Sequence, residues 1–95
     1  MRRRRSPEII AGRVNADGSI AAGDGFTVAK GSTGNWTVTL TPGMRLVGAT
    51  ATSLVFGNNA NVGSFSERGF VVGMGTNAGA AADQPWSFIA AGVQQ

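Results

Sequence analysis

Asn35-Trp36-Thr37-Val38-Thr39-Leu40-Thr41 places Trp36, Val38 and Leu40 at every second position, with threonines between them. Successive side chains on a strand point to opposite faces, so this spacing gives one apolar face and one polar face. The stretch reads as a half-buried antiparallel strand, and Pro42-Gly43 ends it.

The same period extends outward in both directions. Glu8 to Val14 reads as a first strand, and Asn15-Ala16-Asp17-Gly18 as a tight turn in which Asp-Gly favours positive φ. Ser19 to Ala22 forms a short return strand, and Gly23-Asp24-Gly25 breaks the chain before Phe26-Thr27-Val28-Ala29-Lys30. Gly31-Ser32-Thr33-Gly34 then closes a hairpin onto the Trp36 strand. Met44 to Thr52 follows, with Leu54 to Phe56 continuing it after a kink. Alanine and threonine tolerate either face here, so its buried side is left open. Gly57-Asn58-Asn59-Ala60-Asn61 reads as loop. Ser64 to Met74 holds one or two strands, most clearly Phe70-Val71-Val72-Gly73-Met74, and Trp86 to Gly92 is the last. No segment keeps a helical period. The expected fold is all-β: an antiparallel β-sandwich, jelly-roll-like, of about seven or eight short strands.

The chain carries eight basic and five acidic residues, and four of the basic ones are Arg2, Arg3, Arg4 and Arg5. The remaining four, Arg13, Lys30, Arg45 and Arg68, nearly balance Glu8, Asp17, Asp24, Glu67 and Asp83, so the body is close to neutral. We therefore divide the chain into a flexible basic arm over residues 1–7 and a sandwich domain over residues 8–95. A chain of this size buries only about 60 to 65% of its unfolded surface, and many of its apolar positions are alanine, so self-association is expected.

Absence of side-chain types excludes much chemistry. There is no Cys, His or Tyr, which removes thiolate metal sites, the commonest metal ligand and the commonest general base near neutral pH. The serines have no evident activating base. Asp17 and Asp24 each sit next to glycine, where carboxylate-to-backbone turn bonds are their ordinary use. Gly73-Met74-Gly75-Thr76-Asn77-Ala78 fits the form of a dinucleotide fingerprint but lacks room for the helix, strand and acidic residue that must follow. We expect no catalytic residue, no cofactor and no metal. The apolar runs fall short of the roughly 20 residues that cross a bilayer, and the basic start runs into Ser6-Pro7-Glu8, so neither membrane span nor signal peptide is expected. Asn35-Trp36-Thr37 matches a glycosylation sequon by chance within a strand.

The arm admits three roles. Four arginines can neutralise nucleic-acid phosphate, pair with acidic patches of a protein neighbour, or stay solvated. A near-neutral body offers no basic groove beside its tryptophans, which disfavours nucleic acid.

Gly25-Phe26-Thr27-Val28, the Gly-rich turn after it, Trp36-Thr37-Val38-Thr39-Leu40, Pro42, Leu46 to Thr52, and Asp83-Gln84-Pro85-Trp86-Ser87-Phe88-Ile89-Ala90-Ala91-Gly92 together resemble small β-sandwich domains of bacteriophage tail-fibre and minor tail proteins. In those domains a "GFTV" strand precedes a "YTVTF"-like strand, and a "D-x-x-F-x-F-I-A-x-G" strand closes the fold. The resemblance spans about residues 8 to 92. Trp36 and Trp86 depart from it, standing where Tyr or Phe is usual, and no fibre shaft accompanies the domain. It implies a non-enzymatic virion protein, made in the host cytoplasm, commonly trimeric and displayed on the particle surface. Without a shaft, Arg2 to Arg5 become the expected anchor to other virion proteins of tail or capsid. The expected function is thus a minor tail or tail-fibre-type structural protein, with a capsid decoration protein as the alternative. A further reading is a lectin-like receptor binder. It would meet a host-surface glycan through Asn58, Asn59, Asn61, Asn77 and Asp83, with a tryptophan as sugar platform, although the apolar setting of Trp36 and Trp86 favours their burial.

Overall fold

The structure is a computed structural model that describes residues 8–76 and 79–94. The arginines of the arm and Asn77 lie outside the described residues. Eight strands run in chain order: β1 (Glu8–Val14), β2 (Ile20–Ala22), β3 (Phe26–Lys30), β4 (Asn35–Leu40), β5 (Met44–Ser53), β6 (Asn59–Gly63), β7 (Gly69–Gly75) and β8 (Trp86–Gln94). They form two four-stranded antiparallel sheets, ordered β2-β1-β8-β5 and β3-β4-β7-β6. The two sheets pack face to face as a β-sandwich. The pairs β1–β2, β3–β4 and β6–β7 are hairpin neighbours, whereas the other connections cross between sheets.

The period-two pattern sets which residues enter the core. Trp36, Val38 and Leu40 of β4 are buried, as are Phe70, Val72 and Met74 of β7. Opposite them lie Ile10 and Val14 of β1 and Trp86, Phe88 and Ala90 of β8. The two layers are tied by aromatic contacts. Phe88 meets Phe26 edge-on with ring centroids 4.8 Å apart, and meets Phe70 at 5.5 Å. Trp36 and Trp86 meet at 5.7 Å, and both are 0% exposed. An aromatic side chain of this kind buries 150–250 Å², about 4–6 kcal/mol each as an upper bound at ~25 cal/mol per Å². Among the described residues neither indole N–H has an acceptor. The cost of that, about 1–3 kcal/mol each, is smaller than the burial gain, so the tryptophans stay inside.

The ambiguous segment is resolved by a bulge. Leu46 pairs with Gly92 and Gly48 with the next residue of β8, Ala91, so Val47 is the extra residue. Before it Met44 and Leu46 point inward; after it the phase flips and Ala49 and Ala51 face the core.

Two sequence expectations need correction, and a third is narrowed. Leu54 to Phe56 does not extend β5: Leu54 N–H donates to Pro85 O and Asn58 N–H to Val55 O, which turns the chain toward the other sheet. Asn59 to Asn61 is strand, not loop, because it pairs with Gly75 to Gly73 of β7. The Ser64 to Met74 stretch holds a single strand, β7, and Glu67 and Arg68 lie in the loop before it. In that loop Glu67 O accepts from Leu46 N–H and Arg68 O from Leu40 N–H, which closes that end of the sandwich.

Candidate functional site

The sandwich has two distinct ends. At one, β1 begins with Glu8 opposite Gly92, β5 begins with Met44 opposite Gln94, and Thr41 N–H donates to Gly25 O. A shallow depression of about 450 Å³ lies here, between Glu8, Ile10, Gly25 and the Thr41-to-Met44 turn. The other end carries the turn after β1, the β3–β4 loop, the β5–β6 loop and the segment leading into β8. Asn58, Asn59, Asn61 and Asp83 all belong to this second end or to the strand that starts from it. The root of β1 and these polar residues are therefore separated by the length of the strands.

The four are not equivalent. Asp83 accepts a hydrogen bond from Gly34 N–H at 2.7 Å, and Lys30 Nζ lies 3.0 Å from the same oxygen. Those two partners, the Gly34 amide first, hold its carboxyl below the ordinary 3.8. Lys30 also donates to Gly31 O and Ser32 O and lies 5.3 Å from the Trp36 ring. Gly34 itself has φ +78°, and a Cβ there would come within 2.7 Å of Met74 O. Asp83 thus fastens the segment before β8 to the β3–β4 loop. Asp17 plays a smaller part of the same kind. It accepts from Ser19 Oγ at 2.6 Å and Ser19 N–H at 2.9 Å, which lowers its carboxyl as well.

Asn59 and Asn61 do come together, and Asn35, the first residue of the sequon, joins them. Asn35 pairs with Gly73 of β7 from one side, and Asn61 pairs with Gly73 from the other; Asn59 pairs with Gly75. All three asparagines point out of the β3-β4-β7-β6 sheet and are exposed. They flank a shallow, open groove of about 400 Å³ whose floor is Gly73 and Gly75 and whose lining includes Thr76 and Ala81. Among the described residues, none that lines it carries a charge. Asn58 sits in the β5–β6 loop outside it. The sequence signal for this groove was the alternation of glycine along β7, legible only once its two strand neighbours were known.

The burial expected of both tryptophans is observed. Neither Trp36 nor Trp86 can serve as a sugar platform, because both are enclosed between the sheets. Gly73-Met74-Gly75 is the end of β7 and opens no helix among the described residues.

The outer face of the other sheet is of a different kind. Ile9 and Ala91 form a cross-strand pair, Ala11 and Ile89 the next, with Gly48 and Thr50 beside them on β5. Ile9 is 70% exposed and Ile89 56%. Among the described residues, charge appears on this face only at its ends, with Arg13 opposite Ser87 and Arg45 opposite Val93.

Among the described residues, no group of three or more acidic, His or Cys side chains is placed to hold a metal, and no helix is long and apolar enough to cross a membrane. Comparison with protein-family models, with curated proteins and with solved structures finds no match to this chain.

Proposed function

We propose that this chain is a structural module of a bacteriophage particle, a homotrimeric β-sandwich of minor-tail or tail-fibre type that its arginine arm anchors to other virion proteins. The observation that carries this reading is the separation of ends. β1 leads back to the arm from the end where Glu8 meets Gly92, while Asn58, Asn59 and Asp83 lie at the opposite end. A module held at its root would present the second end outward. The near-neutral body supports the same reading, since it supplies no catalytic constellation around its few charged groups and leaves the arm as the main electrostatic contact. Several arms in one assembly would act together through high effective concentration, so individually weak contacts suffice. The exposed Ile9 and Ile89 face supports self-association, because apolar side chains at the centre of a sheet gain by being covered.

Deletion of Arg2 to Arg5 tests the anchoring. The shortened protein is expected to unfold at the same denaturant concentration as the full chain and to be depleted from assembled particles. Normal occupancy of particles by the shortened protein sinks the proposal.

A further inference from the structure

We infer that the glycine-floored groove between β4 and β6 is a binding site for a neutral saccharide. Its first support is that no described neighbour stands in the way of a side chain at position 73. A Cβ there would meet only Asn35 Oδ1 at 3.7 Å and Gly34 O at 4.0 Å, which is ordinary contact. Glycine inside a strand weakens it, and it marks places where another molecule approaches the backbone closely. Here it keeps the floor of the groove open in the middle of the sheet.

The second support is the set of groups at the rim. Asn35 is held in place: its Nδ2 donates to Ser32 Oγ at 3.0 Å and to Thr33 O at 3.4 Å, so its Oδ1 is turned toward the floor as a fixed acceptor. Across the floor, Asn59 and Asn61 share one face of β6, about 6.5–7 Å apart along the strand. Each carboxamide offers both a donor pair and an acceptor, the combination that reads adjacent hydroxyl groups. The absence of charge from the described lining selects against ionised ligands, whose desolvation no described lining group would offset. The groove is wide enough, at about 400 Å³, for one or two sugar rings. It lies toward the end remote from the root of β1. Its occupancy is independent of the virion reading, and binding by the isolated protein and incorporation into particles are separate measurements.

The test is an amide NMR titration of the full chain with glucose, galactose, mannose and N-acetylglucosamine, with sialic acid as charged control. The side-chain resonances of Asn35, Asn59 and Asn61 are expected to shift saturably with at least one neutral sugar and not with sialic acid. Gly73→Val, whose side chain suits a strand and fills the floor, is expected to abolish the shifts while leaving thermal unfolding unchanged or raised. Asn61→Ala is expected to weaken binding about three- to tenfold, the loss of one or two neutral hydrogen bonds. The inference is overturned if no neutral sugar moves these resonances, if Gly73→Val binds as well as the parent, or if a capped neutral peptide competes more strongly than any sugar and so identifies the β6 edge as a strand acceptor.

Discussion

Gly12 lies beneath the ring of Phe26, so close that a Cβ on residue 12 would sit 2.7 Å from Phe26 Cε1 and 2.9 Å from Phe88 Cε1. Gly12 is directly opposite Phe88 in the β1–β8 pairing, and Phe26 and Phe88 meet edge-on at 84°. The missing side chain is therefore what lets an aromatic from one sheet reach across to the other.

Gly12→Ala should destabilise the sandwich by about 1–3 kcal/mol, the usual cost of forcing extra atoms into a packed interior. The double variant Gly12→Ala with Phe26→Leu should lose less than the sum of the two single changes, because the smaller side chain vacates the space. Denaturant unfolding of the four proteins decides it. Simple additivity would show that the two residues do not share that space.

Trp36 and Trp86 should emit at the short wavelengths of an apolar setting and resist quenching by iodide in the folded protein, since neither exposes any surface. Quenching should appear only across the unfolding transition. A quenchable fraction in native buffer would contradict the enclosed pair.

Acid should weaken the fold through Asp83 and Asp17. Both carboxyls are held below their ordinary value in the folded state, Asp83 by the Gly34 amide and Lys30 and Asp17 by Ser19. Groups of this sign contribute stability that is fully present above the unfolded value, near 3.8, and is lost as pH falls through the lower folded values. Their contribution should be constant from pH 7 to about pH 5 and decline below about pH 4. Asp83→Asn should flatten part of that acid limb when thermal unfolding is followed against pH.

Ile89→Asp should leave the fold nearly as stable as the parent, within about 0.5 kcal/mol, since residue 89 faces outward and is 56% exposed. If the Ile9 and Ile89 face is where copies meet, light scattering should then give the mass of a single chain where the parent gives a larger one. An oligomer that survives Ile89→Asp would move the interface elsewhere on the molecule.

The alternation in Asn35 to Leu40 was enough to identify a strand and its buried face, because a period of two has only one way to separate Trp36, Val38 and Leu40 from the threonines. The same held for β3, β7 and β8, where large side chains mark one face. It failed along β5, where Ala49 to Ala51 suits either face and the phase is set by the bulge at Val47, a feature that exists only against the register of β8. It failed again at Asn59 to Asn61. Those residues look like loop in isolation and are strand because β7 supplies their hydrogen bonds.

Composition and alternation thus determined an all-β sandwich with a near-neutral body, a basic arm and no Cys, His or Tyr. Both are local properties: charge is a sum over residues, and the two faces of a strand follow from the backbone alone. Only the tertiary structure decided that Asp83 is engaged with Lys30 and Gly34, and that Asn35, Asn59 and Asn61 flank one glycine floor. It also decided that the root of β1 and those asparagines lie at opposite ends of the strands. Each of these depends on which strands become neighbours, and that is set by how two sheets bury their aromatic faces together, a choice that no single segment records.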